Sequence, residues 1–185
     1  MVDGVLAGPP RLGPVRLLAV DGPSGAGKST VAAELAARLG ATVVPTDHFA
    51  TWADPVSWWP RLVDGVLDPL RHGEPGRYRR MDWSAGVPRL GDEVTVAVPG
   101  VLIVEGVSAG RWSVRRWLNF LTWVDLSDPA ARLERAVARD GEYNRAALLA
   151  WQRFETGWFA VDDTATAADA HWGCAPGEIR GVSGS

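Results

Sequence analysis

Residues 22–29 read Gly-Pro-Ser-Gly-Ala-Gly-Lys-Ser, set between an apolar run, "VRLLAV" (15–20), and an amphipathic stretch, "STVAAELAARLG" (29–40). No other part of the chain restricts the fold so tightly. The spacing satisfies G-x-x-x-x-G-K-[ST], in which glycines let the backbone curl until successive N–H groups point at one anion. The run before it has the length and composition of a buried strand ending at Asp21-Gly22. After it, Val31, Leu35 and Leu39 recur at helical spacing, and Gly40 stands where a helix C-cap would. A helix starting near Lys28 aims the positive end of its dipole and its unpaired N–H groups at the same anion.

Lys28 sharpens this reading. The chain has 19 basic residues, and Lys28 is the only one that is not arginine. An ammonium fits inside a loop wrapped around a phosphate, where a planar guanidinium fork is wider. Gly22, Ser24, Gly25, Ala26, Gly27, Lys28, Ser29 and Thr30 therefore form the candidate nucleotide cradle. In this cradle Lys28 reaches the outer phosphates and the Ser29 hydroxyl ligates Mg²⁺. The plain alternative is a glycine-rich strand–helix turn with an exposed lysine.

The remaining chain continues the alternation. "ATVVPT" (41–46), "VLIVEG" (101–106), "FLTWVDL" (120–126) and "ADAHW" (168–172) read as further strands. Asp54-Pro55 is expected to open a helix running to about Arg71. Pieces near Tyr78–Trp83 and "EVTVAV" (93–98) suggest a half-exposed hairpin. Ser127 or Asp128 caps a helix from Pro129 through "AARLERAVARD", and another helix covers about 144–159. The order predicts an α/β domain with a mainly parallel five-stranded sheet covered by helices on both faces. One domain over residues 1–185 is expected, with about 1–13 and 176–185 as loose ends.

Charge and composition narrow the partners. A net charge of −3 argues against a general nucleic-acid binder, which carries a basic excess or stripe. No stretch has the ~18–20 apolar residues of a membrane span. The N-terminal stretch, with Asp3 and two tandem prolines, does not read as a signal peptide, so a cytoplasmic location is expected. Cys174 is alone and has no Cys or His partner at metal-ligand spacing. An assembly of like chains is compatible with the sequence, which carries no signal for or against one. The expected partner is a small-molecule acceptor.

Two acids stand at strand ends, where open α/β sheets place their ligands. Asp47 follows the second strand, and Glu105 ends "VLIV". One acid would help hold Mg²⁺, and the other would accept a hydrogen bond from an attacking hydroxyl. The structural alternatives are a turn carboxylate for Asp47 and a solvent-facing strand end for Glu105.

"LLAVDGPSGAGKSTVAAELA" resembles the opening of the uridine kinase and phosphoribulokinase group of P-loop kinases, and cytidylate kinases open in a similar way. "TDHF" (46–49), "YRRMDW" (78–83), "VLIVEGV" (101–107) and "RLERAVARD" (132–140) resemble later landmarks of the uridine kinase group, in the same order. The resemblance covers roughly residues 15–145 and implies a P-loop NTPase three-layer sandwich. It implies transfer of a phosphoryl group from ATP to a small-molecule hydroxyl, in the first instance the 5′-OH of a nucleoside. By position, Asp47 would orient and deprotonate that hydroxyl. Ser29, Asp47 and Glu105 would surround Mg²⁺, and Arg135 and Arg139 would be lid cations facing the phosphates. Asp54, Arg80, Asp82 and Trp83 would lie at the acceptor.

The sequence departs from that group where the acceptor is recognised. Ala50 and Thr51 follow Phe49 in place of an aromatic hydroxyl, and Met81 stands where a tyrosine is expected. No histidine closely follows Trp83, and the lid reads "ARDGEYNR", with Arg145 as an extra cation. Ten tryptophans are unusual, and "TWADPVSWW" (51–59) places Trp52, Trp58 and Trp59 beside the acceptor region. Trp58 and Trp59 read first as anchors of their helix to the sheet. Arg111, Arg115 and Arg116 read as a solvated helix face. A nucleoside monophosphate or another metabolite remains an alternative acceptor, and an ATP-binding module without transfer is the rival of another class. A GTPase-like switch is disfavoured, because a guanine-reading Asn-Lys-x-Asp needs a second lysine.

Overall fold

The computed structural model describes residues 2–84, 86–175 and 178–181. The chain opens with α1 (Val2–Leu6), β1 (Arg16–Asp21), α2 (Lys28–Leu39) and β2 (Thr42–Pro45). A helical segment follows, made of α3 (Trp59–Leu62), a π-helical stretch (Val63–Leu67) and α4 (Asp68–Arg71). Next come β3 (Gly76–Asp82), β4 (Arg89–Val96), β5 (Val101–Glu105) and β6 (Leu118–Asp125). The chain continues with α5 (Pro129–Asp140), α6 (Arg145–Asp162), β7 (Ala170–Ala175) and β8 (Glu178–Gly181).

The main sheet runs β2-β5-β1-β6-β7-β8, and its first five strands are parallel. The five expected strands are these five, and β8 adds an antiparallel edge to β7. β3 and β4 form a separate antiparallel hairpin, as expected.

The period of two in β1 explains the three layers. Leu17 and Ala19 enter one core with Leu62, Val66 and Leu70 of the α3–α4 segment. Leu18 and Val20 enter the other core, against Val31 and Leu35 of α2 and Val5 of α1. Helices therefore cover both faces, and β1 and β5 are apolar between their charged ends, over 17–20 and 101–104, because neither face meets water there. No helix among the described residues is long and apolar enough to cross a membrane.

Three expectations are corrected. Residues 2–13 are docked rather than loose: α1 forms there, and Val5 and Leu12 are fully buried. At the other end, residues 178–181 form β8; 176–177 and 182–185, like the side chain of Cys174, lie outside the described residues. The helix expected from Pro55 starts instead at Trp59, with Pro60 in its first turn. Residues 51–54 close a tight turn, and the Asp54 carboxylate accepts the Ser57 N–H at 2.7 Å, so Asp54 caps the turn that follows it, 54–57.

Of the arginines near 111, Arg116 is exposed as expected, but Arg111 and Arg115 are not part of a solvated face. The Arg111 guanidinium lies 4.9 Å from the Trp59 ring and 4.9 Å from the Trp158 ring, a cation–π sandwich, and donates to the Val56 carbonyl. Arg115 is paired with Asp162 at 2.7 Å, and Arg116 lies over Trp117. Trp58 is buried against Phe49, as an anchor should be. Asp128 caps α5 by accepting the N–H groups of Ala130 and Ala131.

Candidate active site

The loop between β1 and α2 borders a cleft of about 750 Å³ at the carboxyl ends of the parallel strands. Ser24, Gly25, Gly27, Lys28, Ser29 and Thr30 line it. Gly25 has φ +77°, and a Cβ there would collide with the Arg132 carbonyl of α5, so only glycine lets the loop pack this closely. Gly22 and Ala26 shape the loop without facing the cleft. Ala26 is fully buried, and Gly22 donates its N–H to Asp21.

Lys28 is only 7% exposed and donates from Nζ to the Pro23 carbonyl at 3.0 Å, folded across its own loop. Ser29 Oγ donates to Glu105 Oε1 at 3.3 Å. β5 ends in Glu105, and the following Gly106 (φ +133°) lies where a Cβ would strike the Thr46 hydroxyl. This close approach brings the end of β5 to the turn Thr46–His48, which carries Asp47, exposed, into the same cleft. Burial holds the Glu105 carboxyl above the ordinary range, and the Asp47 charge pushes the same way while Lys28 opposes both.

This donor set fits the group that the loop implies. Mg²⁺ binds through one or two carboxylates, a hydroxyl, waters and substrate phosphates rather than in an all-protein cage. Ser29, Glu105 and Asp47 supply such a set. Among the described residues no cluster of three or more His, Cys, Asp or Glu side chains could hold a metal by itself.

Arg135 and Arg139 of α5 also line the cleft. Arg139 is bound through Nε and Nη2 to Asp140, both at 2.7 Å, while Arg135 makes no hydrogen bond or ion pair among the described residues. Arg145 does not line the cleft, because Glu134 and Glu142 grip it from two sides.

The other end of the cleft is aromatic. Trp52, Trp83, Trp151 and Tyr143 line it. Trp52 stands edge-on to Trp83 (5.0 Å, 84°) and to Trp151 (5.8 Å, 85°). Trp83 donates from Nε1 to the Asp47 carbonyl at 2.8 Å, joining this wall to the acid. Of the four expected acceptor residues, only Trp83 lines the cleft. Asp54 caps its own turn, Arg80 pairs with Asp92 on the hairpin at 3.1 Å, and Asp82 accepts the Ser84 N–H. His48 points to the Tyr78 hydroxyl at 2.8 Å, away from the cleft.

Two buried acids escaped sequence reasoning. Asp21 accepts N–H groups from Gly22, Ser108 and Gly110 at 2.7–3.0 Å, tying the end of β1 to the segment after β5. Glu155 of α6, 1% exposed, binds Ser24 of the loop. An apolar run ending in Asp signals a strand end, but nothing local marks Asp21 as buried, and nothing local joins Glu155 to residue 24.

These acids give the fold a testable pH dependence. Burial pushes Asp21 from 3.8 up to about 7, against the pull of its three N–H bonds and Lys28. Burial also raises Glu105 and Glu155. An acid raised on folding contributes stability that is complete below its unfolded value and is lost as pH climbs through its folded value. The urea midpoint of the nucleotide-free protein should therefore fall as pH rises from 3.8 to about 7. A midpoint that rises across this window would contradict the assignment.

Comparison with known proteins agrees with this architecture. The sequence model described as cytidylate kinase matches residues 18–51, which span the loop and its flanking elements and end before most of the acceptor side. No curated protein sequence matches the chain significantly. Among solved structures, a possible uridine kinase from Bacillus stearothermophilus superposes with a TM-score of 0.58 at 17% identity, over 84% of this chain and 87% of that one. A provisionally assigned fructose transport system kinase from Silicibacter sp. TM1040 gives 0.55 at 24% identity, over 90% and 92%. D-glycerate 3-kinase from Cryptococcus neoformans var. grubii gives 0.51 at 13% identity, over 85% and 78%. At these identities the likeness establishes the fold, that of the P-loop kinases.

Proposed function

We propose that this chain, with the fold of the P-loop kinases, is an ATP-dependent phosphotransferase that moves the γ-phosphoryl group to a hydroxyl of a small neutral acceptor, most simply the 5′-OH of a nucleoside. The observation that carries this reading is the position of Asp47. It is an exposed carboxylate in the one cleft that holds both the phosphate loop and the aromatic wall.

The loop N–H groups and Lys28 hold the β- and γ-phosphates. For this, Lys28 must exchange the Pro23 carbonyl for phosphate oxygen. Asp47 orients the acceptor O–H and takes its proton as the oxygen attacks the γ-phosphorus. The bond from the γ-phosphorus to the bridging oxygen breaks, and ADP leaves. Ser29, Glu105 and Asp47 would hold Mg²⁺, which would supply charge neutralisation for the phosphates. Arg135 approaches the transferred group directly, and Arg139 does so after releasing Asp140.

The aromatic wall supports a flat acceptor, because indole faces stack on heterocycles. Among the described residues that line the cleft, the only cations are Lys28, Arg135 and Arg139, of the loop and of the helix packed on it. This distribution favours a neutral nucleoside over a monophosphate, which would need a cation of its own. A second reading, a nucleotide-binding module without transfer, draws on the occupied state of Arg139 and Arg145.

The test is ADP release from MgATP across a panel of nucleosides, nucleoside monophosphates and simple alcohols. Nucleoside-dependent release is expected, and release with none of the panel would favour the binding module. Trp52→Ala should raise the acceptor KM about tenfold, the loss of one stacking partner, and leave the ATP KM unchanged. An unaltered acceptor KM would remove the aromatic wall from the site.

A further inference from the structure

Glu155 has no part in the chemistry above, and its place is unusual. A buried carboxylate beside a loop built to hold phosphates repels the ligand, so its presence there needs another reason. Both carboxylate oxygens accept the Ser24 N–H, at 3.1 and 3.0 Å, and the Ser24 hydroxyl donates to Oε1. Ser24 lies in the first half of the loop, next to Pro23, whose carbonyl receives Lys28. Lys28 of α2 and Arg132 of α5 are the cations whose fields reach Glu155.

The loop is short and glycine-rich; its Pro23 carbonyl accepts the Ala26 N–H and the Lys28 ammonium, but among the described residues no loop group binds Ser24 itself. Gly25 rests on the Arg132 carbonyl, and the Glu155–Ser24 bonds supply a second point of attachment. That attachment is stiff, because α6 is an 18-residue helix with Leu148, Trp151, Gln152 and Glu155 buried on one face. Trp151 lies one turn before Glu155 and lines the aromatic end of the cleft. One face of one helix therefore touches both ends of the site.

We propose that Glu155 is the positioning residue of the phosphate loop, a carboxylate latch from α6 that presets Ser24 and its neighbours for nucleotide and ties them to the helix carrying Trp151. The inference rests on reading the loop as a nucleotide site. A preset loop does not spend binding energy on ordering itself, so losing the latch weakens nucleotide binding.

Calorimetric titration with MgADP tests this on the full chain, with thermal melts run on each variant. Glu155→Ala should weaken MgADP binding about 10- to 100-fold, the range for a lost hydrogen bond to a charged group. Glu155→Gln keeps an oxygen at the same reach for the Ser24 N–H and should restore most of the affinity. Glu155→Asp stops one methylene short and should behave like alanine. If the alanine variant does not fold, the glutamine and aspartate variants carry the comparison. Wild-type affinity in a folded alanine or aspartate variant would overturn the latch, as would a glutamine variant as weak as alanine. Wild-type protein that binds no MgADP would instead overturn the nucleotide reading, and the latch with it.

Discussion

Asp47→Asn lowers phosphoryl transfer by about 10²–10⁴-fold, the contribution of a positioned general base, and leaves MgATP affinity unchanged. The expectation follows from what the substitution spares. Asparagine has the same shape, keeps one oxygen toward Mg²⁺ and leaves the backbone carbonyl that Trp83 holds at 2.8 Å. It cannot take the proton from the acceptor hydroxyl. The phosphate loop is built by other residues, so nucleotide binding persists. Measured together, kcat with the best acceptor and MgATP affinity separate the two roles. A fully active asparagine variant would remove Asp47 from the chemistry, and one that lost nucleotide affinity in parallel would make it a binding residue.

Lys28→Ala abolishes turnover and weakens MgATP binding by about 30- to 1,000-fold, the cost of removing one partner from a desolvated, charge-assisted contact. Lys28 is 7% exposed and enclosed by its own loop, so the ammonium meets phosphate with little competing water. Lys28→Arg should fail as well. The guanidinium keeps the charge but needs a planar, wider space than the loop encloses. Unchanged nucleotide affinity in the alanine variant would refute the loop as a phosphate cradle. Full activity in the arginine variant would show that charge alone suffices, and that the lone lysine of an arginine-rich chain has no steric cause.

The parts of this site that could be read in the sequence are those whose causes are local. The strand, loop and helix over residues 16–39 follow from an apolar run, three glycines and a 3.6-residue period, all within one short segment. Asp47 and Glu105 could be found because Glu105 ends a strand and Asp47 lies in the turn that immediately follows one. The aromatic end could not be assembled in that way. Trp151 and Glu155 reach the site from α6, more than a hundred residues beyond the loop, and no pattern within α6 says which partner its buried face meets.

The misplaced acceptor residues have their own cause. β3 and β4 form a two-stranded hairpin with most side chains half or fully exposed, so alternation does not mark which face turns to the site. Arg80 and Asp82 are settled by hairpin partners instead, Asp92 and Ser84. The Asp54-Pro55 helix start lost to the tight turn at 51–54, and the helix begins instead at Trp59, just before the next proline, Pro60. Arg111 looked solvated because its sandwich joins Trp59 and Trp158, a contact made only by the folded chain.

The central claim is transfer rather than binding, and following the γ-phosphate itself tests it most directly. Wild-type protein is given MgATP labelled in the γ-phosphate with a mixture of nucleosides, and the products are separated. The account predicts label in a nucleoside monophosphate, matched by ADP and absent with Asp47→Asn. Label that stays in ATP, or appears only as inorganic phosphate, would contradict it.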